Sequence, residues 1–176
     1  MLEINSIHGR LVSIVPFALS DICAEYIDWL NDPMVVRYSN QRFLKHSAET
    51  CRSYFESFSN SKNKFLKIIK QSDGLFIGTM TIYYLPNHST ADIGIMLGNK
   101  SIWREGFGQD SWDALLSWLL NEAGVRKVTA GAMRCNYGMI KLMESSGMRL
   151  EGVRPQQEVL DGALVDIVYY GKFSEI

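Results

Sequence analysis

Residues 91–111 constrain this chain most, because they force an abrupt change from strand to helix around glycine. The stretch reads Ala-Asp-Ile-Gly-Ile-Met-Leu-Gly-Asn-Lys-Ser-Ile-Trp-Arg-Glu-Gly-Phe-Gly-Gln-Asp-Ser. Ile93, Ile95, Met96 and Leu97 make an apolar run of strand length that stops at Gly98. A short polar loop follows, and Arg104-Glu-Gly-Phe-Gly-Gln then opens a helix carrying Trp112, Leu115, Leu116 and Leu119 on one face. Strand, glycine turn and helix start together can form an anion site. The first amides of a helix lack intrahelical acceptors and sit at the positive end of its dipole, so they favour phosphate oxygens. Gly106 and Gly108 carry no Cβ to hold a ligand away from the backbone. The same pattern also describes an ordinary turn with a tight helix start, and this stretch alone does not choose between the two.

The surrounding chain narrows the partners. Its 176 residues suit one domain, 1–176, with a core of its own. A net charge of -1 with no basic block gives no electrostatic reason to expect nucleic acid or an acidic membrane surface. Cys23, Cys51 and Cys135 are far apart and odd in number, as are His8, His46 and His88. That spacing argues for reduced thiols in a cytoplasmic protein and against a metal site. No signal pattern or membrane-length apolar run is present, so no membrane partner is expected.

Arg10–Val15 reads as a first strand ended by Pro16. Ser20-Asp21 offers a cap for a helix carrying Tyr26, Trp29 and Leu30, which Pro33 breaks; a short second helix is expected over Val35, Val36 and Tyr38. Ser47 caps a third, Ala48 to Phe58. A hairpin turning at Ser72-Asp73-Gly74 leads to the strand of the opening stretch. After its helix come a strand over Arg126–Met133, a helix opened by Asn136 and ended at Gly147, and strands over Met148–Val153 and Ala163–Phe173. This order predicts an α/β (α+β) fold, a mixed and mostly antiparallel sheet with helices on both faces. It does not predict a doubly wound dinucleotide fold, because the third fingerprint glycine and flanking βαβ units are missing.

Three blocks in register then resemble the GNAT superfamily of acyl-CoA-dependent N-acetyltransferases. Within it, the nearest likeness is to the branch of ribosomal-protein N-terminal acetyltransferases and small-molecule relatives. The blocks are Trp103-Arg-Glu-Gly-Phe-Gly108, Asn136-Tyr-Gly-Met-Ile-Lys-Leu-Met-Glu-Ser-Ser-Gly-Met148, and Glu151-Gly152 followed by Asp166-Ile-Val-Tyr-Tyr-Gly171. The resemblance implies acetyl-CoA as co-substrate and no metal. It implies that amides of Arg104, Glu105, Gly106, Phe107, Gly108 and Gln109 grip the pyrophosphate. It further implies that the strand at Met96 and Leu97 supplies an oxyanion donor, that Asn136 bonds the pantetheine, and that Glu158 is the base.

Two positions depart from the family. Met139 and Met143 stand where relatives carry a serine or tyrosine that protonates the leaving thiolate, and neither can donate. Trp29, Tyr38, Arg42 and Tyr83, with Asn31, Asp32 and Tyr84, are candidates for the acceptor pocket. The expected acceptor is a small-molecule primary amine such as an amino sugar, and the expected assembly a monomer or homodimer. The rivals are an N-terminal protein acetyltransferase and a catalytically silent acyl-CoA-binding module.

Overall fold

A computed structural model describes residues 2–175. One eight-stranded sheet runs in the order β1-β2-β3-β4-β5-β6-β8-β7. Its strands are β1 (Ile7–His8), β2 (Val12–Pro16), β3 (Lys64–Lys70), β4 (Phe76–Leu85), β5 (Thr90–Leu97), β6 (Lys127–Met133), β7 (Arg149–Leu160) and β8 (Ala163–Phe173). Every pairing is antiparallel except β5 with β6. Four helices cover it: α1 (Ala24–Asn31), α2 (Ala48–Ser59), α3 (Phe107–Ser117) and α4 (Tyr137–Ser145).

Strand alternation sorts side chains onto two faces. One face turns Ile14, Leu66, Ile68, Met80, Ile82, Ile93 and Val128 toward Trp112, Leu115 and Leu119 of the α3 segment and Met143 of α4, all at most 3% exposed. The other carries Phe65 against Tyr26, Trp29 and Leu30 of α1 and Cys51 of α2. Helices therefore do lie on both faces. No helix among the described residues is long and apolar enough to cross a membrane.

Local chemistry sets the helix ends. The Ser47 hydroxyl accepts from the Thr50 amide and the Thr50 hydroxyl accepts from the Ser47 amide, so α2 starts where the capping pattern predicts. Gly147 ends α4 in the left-handed region at φ 75. Past Ser117, α3 widens into a π segment, Trp118–Glu122, which keeps Leu119 and Leu120 buried.

Three expectations change. Asp21 does not cap α1, which starts after Cys23. Instead its carboxylate accepts from the Ala18 amide at 2.8 Å and pairs with Lys67 at 2.5 Å. No helix forms over Val35–Tyr38. The Asp32 carboxylate accepts from the Met34 amide at 2.9 Å, setting a turn, and the short helical piece comes later, at Asn40–Phe43. Helix α3 opens at Phe107 rather than Arg104, because Arg104 and Gly106 both have positive φ, 66 and 92.

Candidate active site

The site begins as a defect in the sheet. β5 pairs with β4 along its whole length but meets β6 only at Thr90, Ala91 and Asp92, opposite Lys127, Val128 and Thr129. Beyond those pairs β5 stays on β4 and β6 stays on β8 as far as Met133, so the two strands part. Backbone groups on the inner edges then face a gap, and each needs a partner. The Gly98 amide donates to Ile77 O at 3.0 Å, which makes Leu97–Gly78 a pair whose own polar groups point away from β4. By alternation the amides of Leu97 and Ile95 face the gap, whereas that of Met96 is directed to β4. Met96 contributes its side chain to the lining. The indole of Trp103 donates to Leu97 O at 3.0 Å and pins the loop to the strand end.

That loop closes one end of the gap. The left-handed turns at Arg104 and Gly106 bring the chain into α3, whose first backbone closure is Asp110 N to Gly106 O at 3.0 Å. The amides of Phe107, Gly108 and Gln109 therefore fall in a first turn without intrahelical acceptors. A Cβ on Gly108 would come within 3.2 Å of Leu97 Cδ1, so glycine lets strand and helix approach. The side chains beyond are committed elsewhere. The Gln109 amide donates to Ser146 Oγ at 2.7 Å and Asp113 at 3.0 Å, joining α3 to α4. The Asp110 carboxylate accepts from the amides of Arg10, Leu11 and Val12 at 2.9, 2.7 and 3.1 Å.

The gap opens into a cleft of about 970 Å³. At the loop end Arg104, Gly106, Gly108, Gln109, Asn136 and Leu97 line it, joined by Cys135, Tyr137, Met139 and Lys141. At the far end it is lined by Tyr38 and Tyr83 together with Tyr26, Arg37, Tyr54, Phe65, Thr79 and Thr81. Glu105, Phe107, Trp29, Arg42 and Glu158 lie off the lining. Phe107 and Trp29 are each 7% exposed and belong to the two cores. The Trp29 ring lies against Gly98, where a Cβ would fall 1.9 Å from its Cδ2, so it holds the end of β5. Arg42 donates to Ser39 O at 2.7 Å and Val159 O at 3.0 Å, with Glu158 at 3.9 Å. Asn31 is turned to the backbone of Ile27 and His46, and Asp32 to Lys100. Tyr84 packs on the opposite face from Tyr83.

Thr79, Thr81 and Tyr83 were findable together. They occupy alternate positions of β4, and naming one implies the face of the others. Tyr54, Lys141 and Arg37 come from three separate elements, and no sequence spacing relates them.

Electrostatics divides the ionisable groups. Burial pushes the Tyr26 and Tyr54 phenols well above the ordinary range, so both stay neutral hydroxyls; Tyr54 lies 3.4 Å from the Tyr83 hydroxyl. Asp92 shares the sheet face of Tyr83 by register. Solvent reaches part of its side chain, yet desolvation by the surrounding strands raises its carboxyl above the usual range, and the Thr129 hydroxyl, donating at 2.7 Å, offsets this only in part. Asn136 accepts the Met139 amide at 3.2 Å on Oδ1, capping α4 and leaving its Nδ2 donor free of that task. Met143 is fully buried, and Met139 lines the cleft without a proton to give.

A sheet split next to a helix start is the layout of an acyl-CoA acyltransferase, and comparison with known proteins agrees. Residues 12–149 match the family model described as acetyltransferase (GNAT) domain, and the chain belongs to that family. It is an acetyl-CoA-dependent N-acetyltransferase by class. It is similar to the uncharacterized N-acetyltransferase p20 of Bacillus licheniformis, 25% identical over 157 residues, covering 86% of this chain and 85% of that protein. In fold it is similar to a GNAT-family acetyltransferase from Bacillus anthracis, with TM-score 0.82, 20% identity and coverage of 97% and 99% of the two chains. It is also similar in fold to RimL, the ribosomal L7/L12 α-N-protein acetyltransferase in complex with coenzyme A. There the TM-score is 0.83, with 18% identity and coverage of 96% and 98%. The spermidine N-acetyltransferase of Vibrio cholerae, in complex with CoA and spermine, gives 0.82 at 13% identity and covers 93% and 96%.

Proposed function

We propose that the protein transfers the acetyl group of acetyl-CoA directly to the primary amine of a small molecule, with no covalent enzyme intermediate. The observation that carries this reading is the parting of β5 and β6 immediately beside the amide-rich start of α3. The amides at the open first turn of α3, Phe107, Gly108 and Gln109, with those of Arg104 and Gly106 before them, hold the pyrophosphate, whereas the Glu105 amide is taken by Ile102 O at 3.4 Å. The extended arm enters the gap as a surrogate strand, and the Asn136 Nδ2 donates to it. The Leu97 amide stabilises the oxyanion. The amine nitrogen forms the new C–N bond as the C–S bond breaks. The amine proton passes to a base, and the thiolate leaves without a protein donor, since a thiol is acidic enough for its thiolate to be displaced unassisted.

Two carboxylates compete for the base. Glu158 matches the family position, is half-buried and approaches Arg42 at 3.9 Å. Asp92, which also lies off the lining, is favoured by burial that raises its carboxyl above the ordinary carboxylate range and by its place at the apex of the split. A small acceptor is favoured over a protein terminus because the β7–β8 hairpin is fastened to the segment lining the far end. Arg37 pairs with Asp161 at 2.6 Å and Arg42 donates to Val159 O.

Thiol release from acetyl-CoA with amines and peptides tests the proposal. Turnover with small amines is expected to exceed turnover with peptides, and either Glu158→Gln or Asp92→Asn should lower kcat by about a hundredfold with little change in the KM for acetyl-CoA. If both variants keep full turnover, neither carboxylate is the base; tight CoA binding with no turnover on any acceptor marks a silent module.

A further inference from the structure

We propose that the acceptor is a primary amine on an apolar or aromatic body with no second positive charge, a class that includes arylalkylamines. This rests on the acetyl-transfer reading and names the substrate class for the same cleft. The far end is walled by rings: Tyr26, Tyr54 and Phe65 inside, with Tyr38 and Tyr83 at the rim, 39% and 43% exposed. Exposed ring surface at the mouth of a cleft gains by covering another apolar face, and ring on ring adds a geometric preference beyond area. The Tyr54 and Tyr83 hydroxyls, 3.4 Å apart, are polar points on that wall.

The cleft also offers little to a polycation. Among the described residues no aspartate, glutamate or histidine lines it. Of the carboxylates near its far end, Asp161 is matched by Arg37 at 2.6 Å and Glu158 approaches Arg42 at 3.9 Å. Asp92, off the lining on the Tyr83 face, is the one the transfer itself would use as base. Arg37 lines the far end with its charge already paired to Asp161, so the lining presents no free carboxylate to a ligand. A second ammonium placed in that space would lose hydration with no counter-charge to replace it. A sugar body could reach Ser39, Gln41, Thr79 and Thr81 but would set its remaining hydroxyls against ring faces, whereas an aryl body needs no such partners. The inference therefore moves the acceptor away from both polyamines and the amino sugar expected from the sequence.

The test is thiol release by the intact enzyme with 2-phenylethylamine, glucosamine and spermidine at equal concentration. The expected result is a kcat/KM for 2-phenylethylamine at least about tenfold above both others. Tyr83→Ala, at a rim position, should lower that value about fivefold while the KM for acetyl-CoA stays within about twofold. A preference for spermidine or glucosamine overturns the class and leaves acetyl transfer standing. No turnover on any of the three, with CoA binding intact by calorimetry, counts against acetyl transfer to small amines and takes this inference with it.

Discussion

Replacing Asp110 should unfold the protein more readily without disarming its cofactor loop. Asp110 follows the Gly-Phe-Gly-Gln turn directly and looks, in one dimension, like part of the anion grip. Its carboxylate points the other way, to the turn between β1 and β2, where it accepts three backbone amides at 2.7 to 3.1 Å. The fit is close: a Cβ on Gly9 would fall 2.3 Å from Asp110 Oδ2. In Asp110→Ala the Arg10 amide, at an exposed position, returns to water at little cost. The Leu11 and Val12 bonds are partly buried, and each amide left without a partner costs about 1–3 kcal/mol. Losing an anion from the first turn of α3 adds about 0.5 kcal/mol. The sum is about 4 kcal/mol, which for a chain of this size lowers Tm by about 8–16 °C. Urea unfolding and calorimetry measure it, and CoA titration below the transition measures the loop. A loss under about 1 kcal/mol would refute the energetic argument. Loss of CoA binding by a still-folded variant would instead refute the separation of anchor from grip.

Asp92 carries a pH prediction of definite sign. Its folded pKa is raised, so between the ordinary carboxylate value and that raised value the native state binds more protons than the unfolded one, and stability falls as pH rises. Asp92→Asn should therefore be stabilising at neutral pH, with the gain vanishing below the ordinary carboxylate range; a gain that grows on acidification contradicts the assignment. Cys135 reports on the cofactor path: it lines the cleft, whereas Cys23 is exposed elsewhere and Cys51 is buried. Saturating CoA should slow its alkylation by iodoacetamide about tenfold or more while Cys23 labels unchanged, as read by peptide mass spectrometry. Equal rates with and without CoA would place the arm outside this gap.

The sequence by itself determined most of the elements and the backbone geometry of the glycine loop. Glycines at 106, 108 and 147, the Ser47 cap and the Asn136 cap act over one turn of chain, so their consequences are local and readable. The period of two in β4 and of three to four in α3 likewise sorts side chains before any tertiary contact exists. What only the tertiary structure decided is where the strands part and what faces the opening. The divergence of β5 from β6 depends on β5 being held by β4 and β6 by β8, partners separated from them by loops and helices, and no spacing along the chain encodes it. The same holds for the commitments that redirect named residues: Asp110 to a turn about a hundred positions earlier, Trp29 to Gly98, Arg42 to Val159. A polar or aromatic side chain can satisfy itself in several ways, and folding brings up the partner that settles which. The glycine loop was legible because its chemistry lies in backbone conformation. The aromatic far end of the cleft was legible only at Tyr38 and Tyr83, because its walls come from α1, α2, two strands and the loop after α1.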